Sequence, residues 1–131
     1  MRLTRASSYG LHAVVYIASL KHDRPMASHV IAKNQGIPDR FLLKILKPLV
    51  TARILKSLKG PNGGYRLAKP ASAINMLEIV EAIDGPVRGH SPLSEDGGES
   101  ALNRKLEAIC KQGAEQTRKR FEKVRISDLA K

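Results

Sequence analysis

A winged helix-turn-helix, mainly α with one small β-hairpin, is the fold class this 131-residue sequence predicts. Three observations carry it. Two short helical segments meet across a glycine, the turn pattern of a helix-turn-helix. The stretch Ser57–Pro70, SLKGPNGGYRLAKP, then sets two strand-like runs on either side of a loop of one proline, one asparagine and three glycines, as a hairpin requires. Charge is the third: residues 1–69 hold 13 Lys/Arg against two acids. Residues 70–101 hold one against six, and residues 102–131 nine against four, for a formal net charge of +11.

Taken in order, the first helix opens at Thr4, a good N-cap, and runs to about Leu20. Ala6, Tyr9, Ala13, Tyr16, Ile17 and Leu20 recur at helical spacing and predict its buried stripe. KHDRP breaks the pattern. ASHVIAKNQ predicts a second helix with Ala27, Val30 and Ile31 inward, and Gly36 makes the turn. Pro38 opens the third helix, where its missing N–H needs no partner. Phe41, Leu42, Ile45, Leu46 and Leu49 form one apolar face, and Asp39, Arg40, Leu43, Lys44 and Lys47 lie opposite. Pro48 predicts a bend or an end near Lys47, because proline removes a helical hydrogen bond.

After the hairpin, Asn75 and Glu78 form a capping box for a helix ending at Gly85 before Pro86. Leu77, Val80 and Ile83 are its inward stripe, and Glu78, Glu81 and Asp84 are expected to face solvent. Residues 86–100 read as a hinge loop by composition. A long helix follows from Ala101 to Arg125, with Leu102, Leu106, Ile109, Gly113, Thr117, Phe121 and Val124 on a narrow stripe. Such a stripe, after a domain with its own core, suits pairing with the same helix of a second subunit; folding back on its own domain is the alternative. RISDLA forms a closing turn capped by Ser127. The expected organisation is a winged domain at 1–85, a hinge at 86–100, and a dimerisation helix with closing turn at 101–131.

A positive field concentrated in the first half is the footprint of a polyanion binder, set against a merely solvated basic surface. In a winged helix-turn-helix the second helix of the pair enters the major groove of duplex DNA, and the wing reaches phosphates or the minor groove. The candidate contacts are Ser28, Pro38, Asp39, Arg40, Leu43, Lys44, Lys47, Lys59, Asn62 and Arg66. Leu43 suits a thymine methyl, or is turned inward by a bend at Pro48, and Arg40 and Lys44 suit either guanine edges or phosphates. No nucleophile–base pair, carboxylate dyad or phosphate-cradling motif points to an enzyme. A single-strand or RNA binder also explains the charge, but stacking needs free aromatics, and the chain has only Phe41, Phe121, Tyr9, Tyr16 and Tyr65. No run is apolar enough for a membrane helix, and MRLTRASSYG lacks the apolar centre of a secretion signal, so a cytoplasmic location is expected.

The single cysteine, Cys110, excludes an internal disulfide and a zinc site built mostly of thiolates. His12, His22, His29 and His90 show no ligand spacing. Cys110 reads as a small apolar residue on or beside the dimer seam, or as a redox switch that pairs with its twin or a small thiol, with Lys111 lowering its pKa.

MRLTRASSYGLHAVVYIA, IAKNQGIPDRFLLKILKPL, ILKSLKGPNGGYRLAKP, EIVEAIDGP and the terminal RISDLA together resemble the Rrf2 family of bacterial transcription regulators. The resemblance spans nearly the whole chain. It implies a dimeric regulator, here expected to be a repressor, that binds a partly palindromic operator and crosses subunits through its long C-terminal helix. It places base reading at Pro38, Arg40 and Leu43, with Lys59 in the wing. Family members that hold an iron–sulfur cluster carry three cysteines in and just after the hinge, whereas residues 86–108 here contain none. The resemblance therefore implies a member without that cofactor, and leaves its effector open.

Overall fold

Thr4 closes the start of helix α1, Arg5–Ser19: its Oγ1 accepts a hydrogen bond from Ser7 N at 3.0 Å. The computed structural model describes residues 1–95 and 100–131. The buried face of α1 is Ser7, Gly10, Leu11, Ala13, Val14 and Ile17, turned from the stripe that periodicity gave; Ala6, Tyr9 and Tyr16 are only partly buried. Gly10 is the reason. A Cβ there would stand 2.2 Å from Ile83 Cδ1, so this glycine is where helix α4, Met76–Asp84, crosses α1.

Helix α2, Ser28–Gln35, buries Ile31 and Ala32, with Val30 and Ala27 half-buried. Gly36 takes the left-handed conformation at φ 64°, and Ile37 N donates to Ala32 O at 3.0 Å, closing the turn. Helix α3, Asp39–Thr51, buries Leu42, Ile45, Leu46 and Leu49. Of the bend or end expected near Lys47, the end is not found, since α3 runs through Pro48 for another turn and seats Leu49 with no exposure at all. Burying that leucine outweighs the one hydrogen bond a proline forfeits. Phe41 also departs from expectation: it is 50% exposed and meets Tyr9 edge-on, ring centroids 6.2 Å apart, on the flank of α3.

Strands β1, Leu55–Leu58, and β2, Gly64–Leu67, pair antiparallel in the register Leu55↔Leu67, Lys56↔Arg66, Ser57↔Tyr65, Leu58↔Gly64. A third rung comes from the loop after α1, where Met26 and Tyr65 exchange two backbone hydrogen bonds of 2.8 Å. Gly64 permits it. At φ 148° a Cβ there would stand 2.4 Å from the Met26 carbonyl carbon and oxygen, so only glycine lets the strand approach.

The capping box of α4 forms as predicted, with Asn75 Oδ1 accepting from Glu78 N and Glu78 Oε2 from Asn75 N, both at 2.9 Å. The three acids of α4 do not simply face solvent. Glu78 accepts from Lys69 Nζ at 2.5 Å, Glu81 from Arg118 and from Val87 N, and Asp84 from the hydroxyls of Thr4 and Ser7. Each carboxylate fastens α4 to a different segment. Within the span predicted as a loop lies a short helix, α5, Pro92–Glu95, and residues 96–99 fall outside the described residues.

Helix α6, Ala101–Glu122, turns one face to its own domain through Asn103, Glu107, Cys110, Ala114, Arg118 and Phe121, which are half-buried or better. Helix α7, Ile126–Leu129, follows; Arg125, not Ser127, stands at its N-cap, and Asp128 Oδ2 accepts from Arg125 N at 3.3 Å. Ile126 is fully buried in the core around α1, α3 and α4, and Ile126 N donates to Ile74 O at 2.9 Å.

Candidate nucleic-acid interface

The apolar face of α3 fixes which side chains point away. With Leu42, Ile45, Leu46 and Leu49 inward, the 3.6-residue period directs Arg40, Lys44 and Lys47 outward, and all three are exposed. Leu43 stays outward beside them at 52% exposure, and Pro38 and Asp39 lie at the exposed start of the helix. Ser28 sits in the first turn of α2 and is half-buried.

In the wing, Gly63 N donates to Gly60 O at 3.0 Å and tightens the tip, which presents Lys59 and Asn62, both exposed. Arg66 is not at the tip. It lies on β2 directly opposite Lys56 and is half-buried. Among the described residues none of Arg40, Lys44, Lys47, Lys59 and Arg66 forms an ion pair. Their charge is uncompensated, because Asp23 and Asp39 are the only acids in residues 1–69 and the acids of α4 are taken up internally. An unneutralised cationic face with one apolar side chain, next to a cationic hairpin tip, has the chemistry that a polyanion with a methyl-bearing groove complements.

The long helix carries a second exposed surface. Leu102, Leu106 and Ile109 are 64%, 38% and 62% exposed, and Gly113 is exposed beyond them. This stripe lies roughly 100° around the helix from the face turned to its own domain. Phe121, expected on the stripe, packs instead against the core, and Thr117 is half-buried with its Oγ1 donating to Gly113 O at 3.1 Å. The hinge is laid across the inner face. Ser91 N donates to Glu107 Oε2 at 2.7 Å, His90 Nδ1 lies 3.4 Å from Glu107 Oε1, and Gly89 rests on the Cys110 backbone, where a Cβ would stand 1.9 Å from the carbonyl oxygen. The Ser91 amide holds the Glu107 carboxyl below its ordinary pKa against the opposing cost of burial, with His90 and then Lys111 adding to the lowering.

Sequence reasoning missed Gly10, Ser7 and the partners of Glu81 and Asp84. A mid-helix glycine, about 1 kcal/mol worse than alanine, was the one signal available.

The fold is that of a winged helix-turn-helix protein, and the family match below puts it in a class that regulates transcription. The chain belongs to the Rrf2 family: the family model described as an iron-dependent transcriptional regulator matches residues 3–131. A protein of Mycobacterium tuberculosis (strain H37Rv) named as an HTH-type transcriptional regulator, Rv1287, is 33% identical over 125 residues, 89% of this chain and 78% of its own length. Among solved structures, CymR, the global cysteine regulator of B. subtilis, is similar at TM-score 0.81 and 22% identity, over 99% of this chain and 96% of that one. The IscR of T. potens is similar at TM-score 0.75 and 19% identity, over 98% and 85%. Those two likenesses bear on the fold.

The iron named in the family description finds no matching donor set. The chain has one cysteine, and among the described residues no three His, Cys, Asp or Glu side chains come together. An iron–sulfur cluster draws on several thiolates, so these residues do not fit one. No helix among the described residues is long and apolar enough to cross a membrane.

Proposed function

We propose that this chain is a sequence-specific regulator that binds duplex DNA as a homodimer and represses transcription from its operator. The observation that carries the reading is the outward face of α3, where Arg40, Lys44 and Lys47 flank Leu43 with no acid paired to them. Seated in the major groove, Arg40 is the residue suited to a bidentate hydrogen bond with guanine and Leu43 to apolar contact with a thymine methyl, while Lys44 and Lys47 meet phosphates. Lys59 and Asn62 at the wing tip reach the adjoining backbone or minor groove. Pro38, Asp39 and Ser28 mark the helix starts that set the depth of α3 in the groove.

Pairing through Leu102, Leu106 and Ile109 of two α6 helices gives the two-fold symmetry that a palindromic operator requires. It also removes from water three large apolar side chains that a single chain leaves exposed. Bound there, the dimer represses by occupying the promoter.

The aromatics support duplex over single strand. Tyr9, Tyr16, Tyr65 and Phe121 are packed against the core, which leaves Phe41 as the one aromatic at 50% exposure and no platform for successive bases. Binding measured at matched salt to a duplex and to each of its strands tests this. The expected result is a preference for the duplex; equal or tighter single-strand binding contradicts it.

A further inference from the structure

On the flank of the wing, away from its tip, lies a cavity of about 350 Å³ between the end of α1, the loop that follows it and the outer face of the hairpin. Its floor is Ile17, Leu20 and Leu67, and its rim carries His22, Arg24, Lys56 and Arg66, with Asp23 the one acid. Two features of this rim are unusual. Lys56 and Arg66 stand directly opposite each other across the two strands, an arrangement of like charges that destabilises a sheet. Among the described residues neither they nor Arg24 has an acidic partner, Asp23 included. In addition, Arg24 N donates to His22 Nδ1 at 3.2 Å, which holds the ring on the rim.

Three cations without an acidic partner among the described residues thus surround one concavity, beside a backbone held in register by the Met26–Tyr65 rung. We infer that this cavity is an oxyanion site in which Arg24, Lys56 and Arg66, with His22, hold one phosphate-class group. Arg24 and Arg66 supply planar two-pronged donors, and Lys56 supplies a point charge, which together match a phosphate's three accessible oxygens. An anion between Lys56 and Arg66 turns the cross-strand repulsion into two attractions. The group is either a backbone phosphate of bound DNA or a free phosphorylated or inorganic anion; the chemistry of the site is the same.

The test begins without DNA. Inorganic phosphate is titrated into the whole protein against chloride at matched ionic strength, with backbone amide resonances followed. The expected result is saturable shifts confined to residues 22–24, 56 and 66–68, at least tenfold weaker in K56Q/R66Q and weakened again in Arg24→Gln, while amides elsewhere keep their dispersion. Shifts no larger than those from chloride, or shifts that persist unchanged in both variants, overturn the inference. A second arm finds the source among proteins that pass the first. If DNA supplies the phosphate, K56Q lowers the slope of log binding constant against log salt by about one. An unchanged slope beside intact phosphate binding assigns the site to a free anion.

Discussion

Arg40 is the side chain on which sequence discrimination rests in this account. Its replacement by alanine is expected to weaken operator binding by about 1–3 kcal/mol and to relax one base position, read by competition with single-base operator variants. Uniform weakening with preference unchanged instead makes it a phosphate contact. Gly64 tests the wing at the same scale. Gly64→Ala forces a side chain onto a backbone at φ 148° and into the Met26 carbonyl, so a loss of about 1–3 kcal/mol in urea unfolding is expected. Charge at single residues was legible from sequence because Arg40, Lys44 and Lys47 owe their outward position to the apolar period of their own helix. Gly10, Ser7 and Phe41 were not, because whether each is buried or exposed depends on how a second helix packs beside it. That is a tertiary fact which a one-helix period does not contain.

At the scale of elements, α4 and the hinge hold the winged domain to α6. Glu78 and Glu81 are half-buried where periodicity sorts an acid outward, and Asp84, exposed as expected, is still tied in, because their partners Lys69, Arg118 and Ser7 sit on other elements. Glu107 gives the hinge contact a pH signature. Its carboxyl titrates below the ordinary range in the folded chain, so its contribution is present above the unfolded value and is lost as pH falls through the lowered one. The Ser91 amide resonance is expected to move in that acid range and to stop moving in Glu107→Gln; a titration at the ordinary carboxylate value refutes the contact. The closing turn is equally bound in. Ile126→Ala removes a fully buried side chain from the core and is expected to cost about 2–5 kcal/mol in denaturant unfolding, where a free tail would cost nothing. The turn itself was visible in RISDLA, but its cap was not, since Ser127 offers the better capping chemistry and Arg125 holds the position through its backbone.

The whole molecule is a two-fold reader only if two chains meet. Ile109→Glu places a charge on a side chain that is 62% exposed in the single chain, so the fold is expected to survive and the dimer to dissociate, as read by sedimentation at micromolar concentration. DNA affinity then falls with it. A variant that stays dimeric removes α6 as the seam. The winged helix-turn-helix was legible nearly throughout, because each of its devices is local: a cap, a glycine turn, an apolar period, a glycine-rich hairpin. The proposed seam was legible only as a stripe, and the structure divides that stripe between Leu102, Leu106 and Ile109 outside and Phe121 within. Symmetric reading of duplex sequence is checked by selecting bound sequences from a random duplex library at near-physiological salt. The expected result is enrichment of a two-fold symmetric motif whose half-sites are centred about 34–36 Å apart. Binding without any enriched motif, vanishing as salt rises, contradicts it.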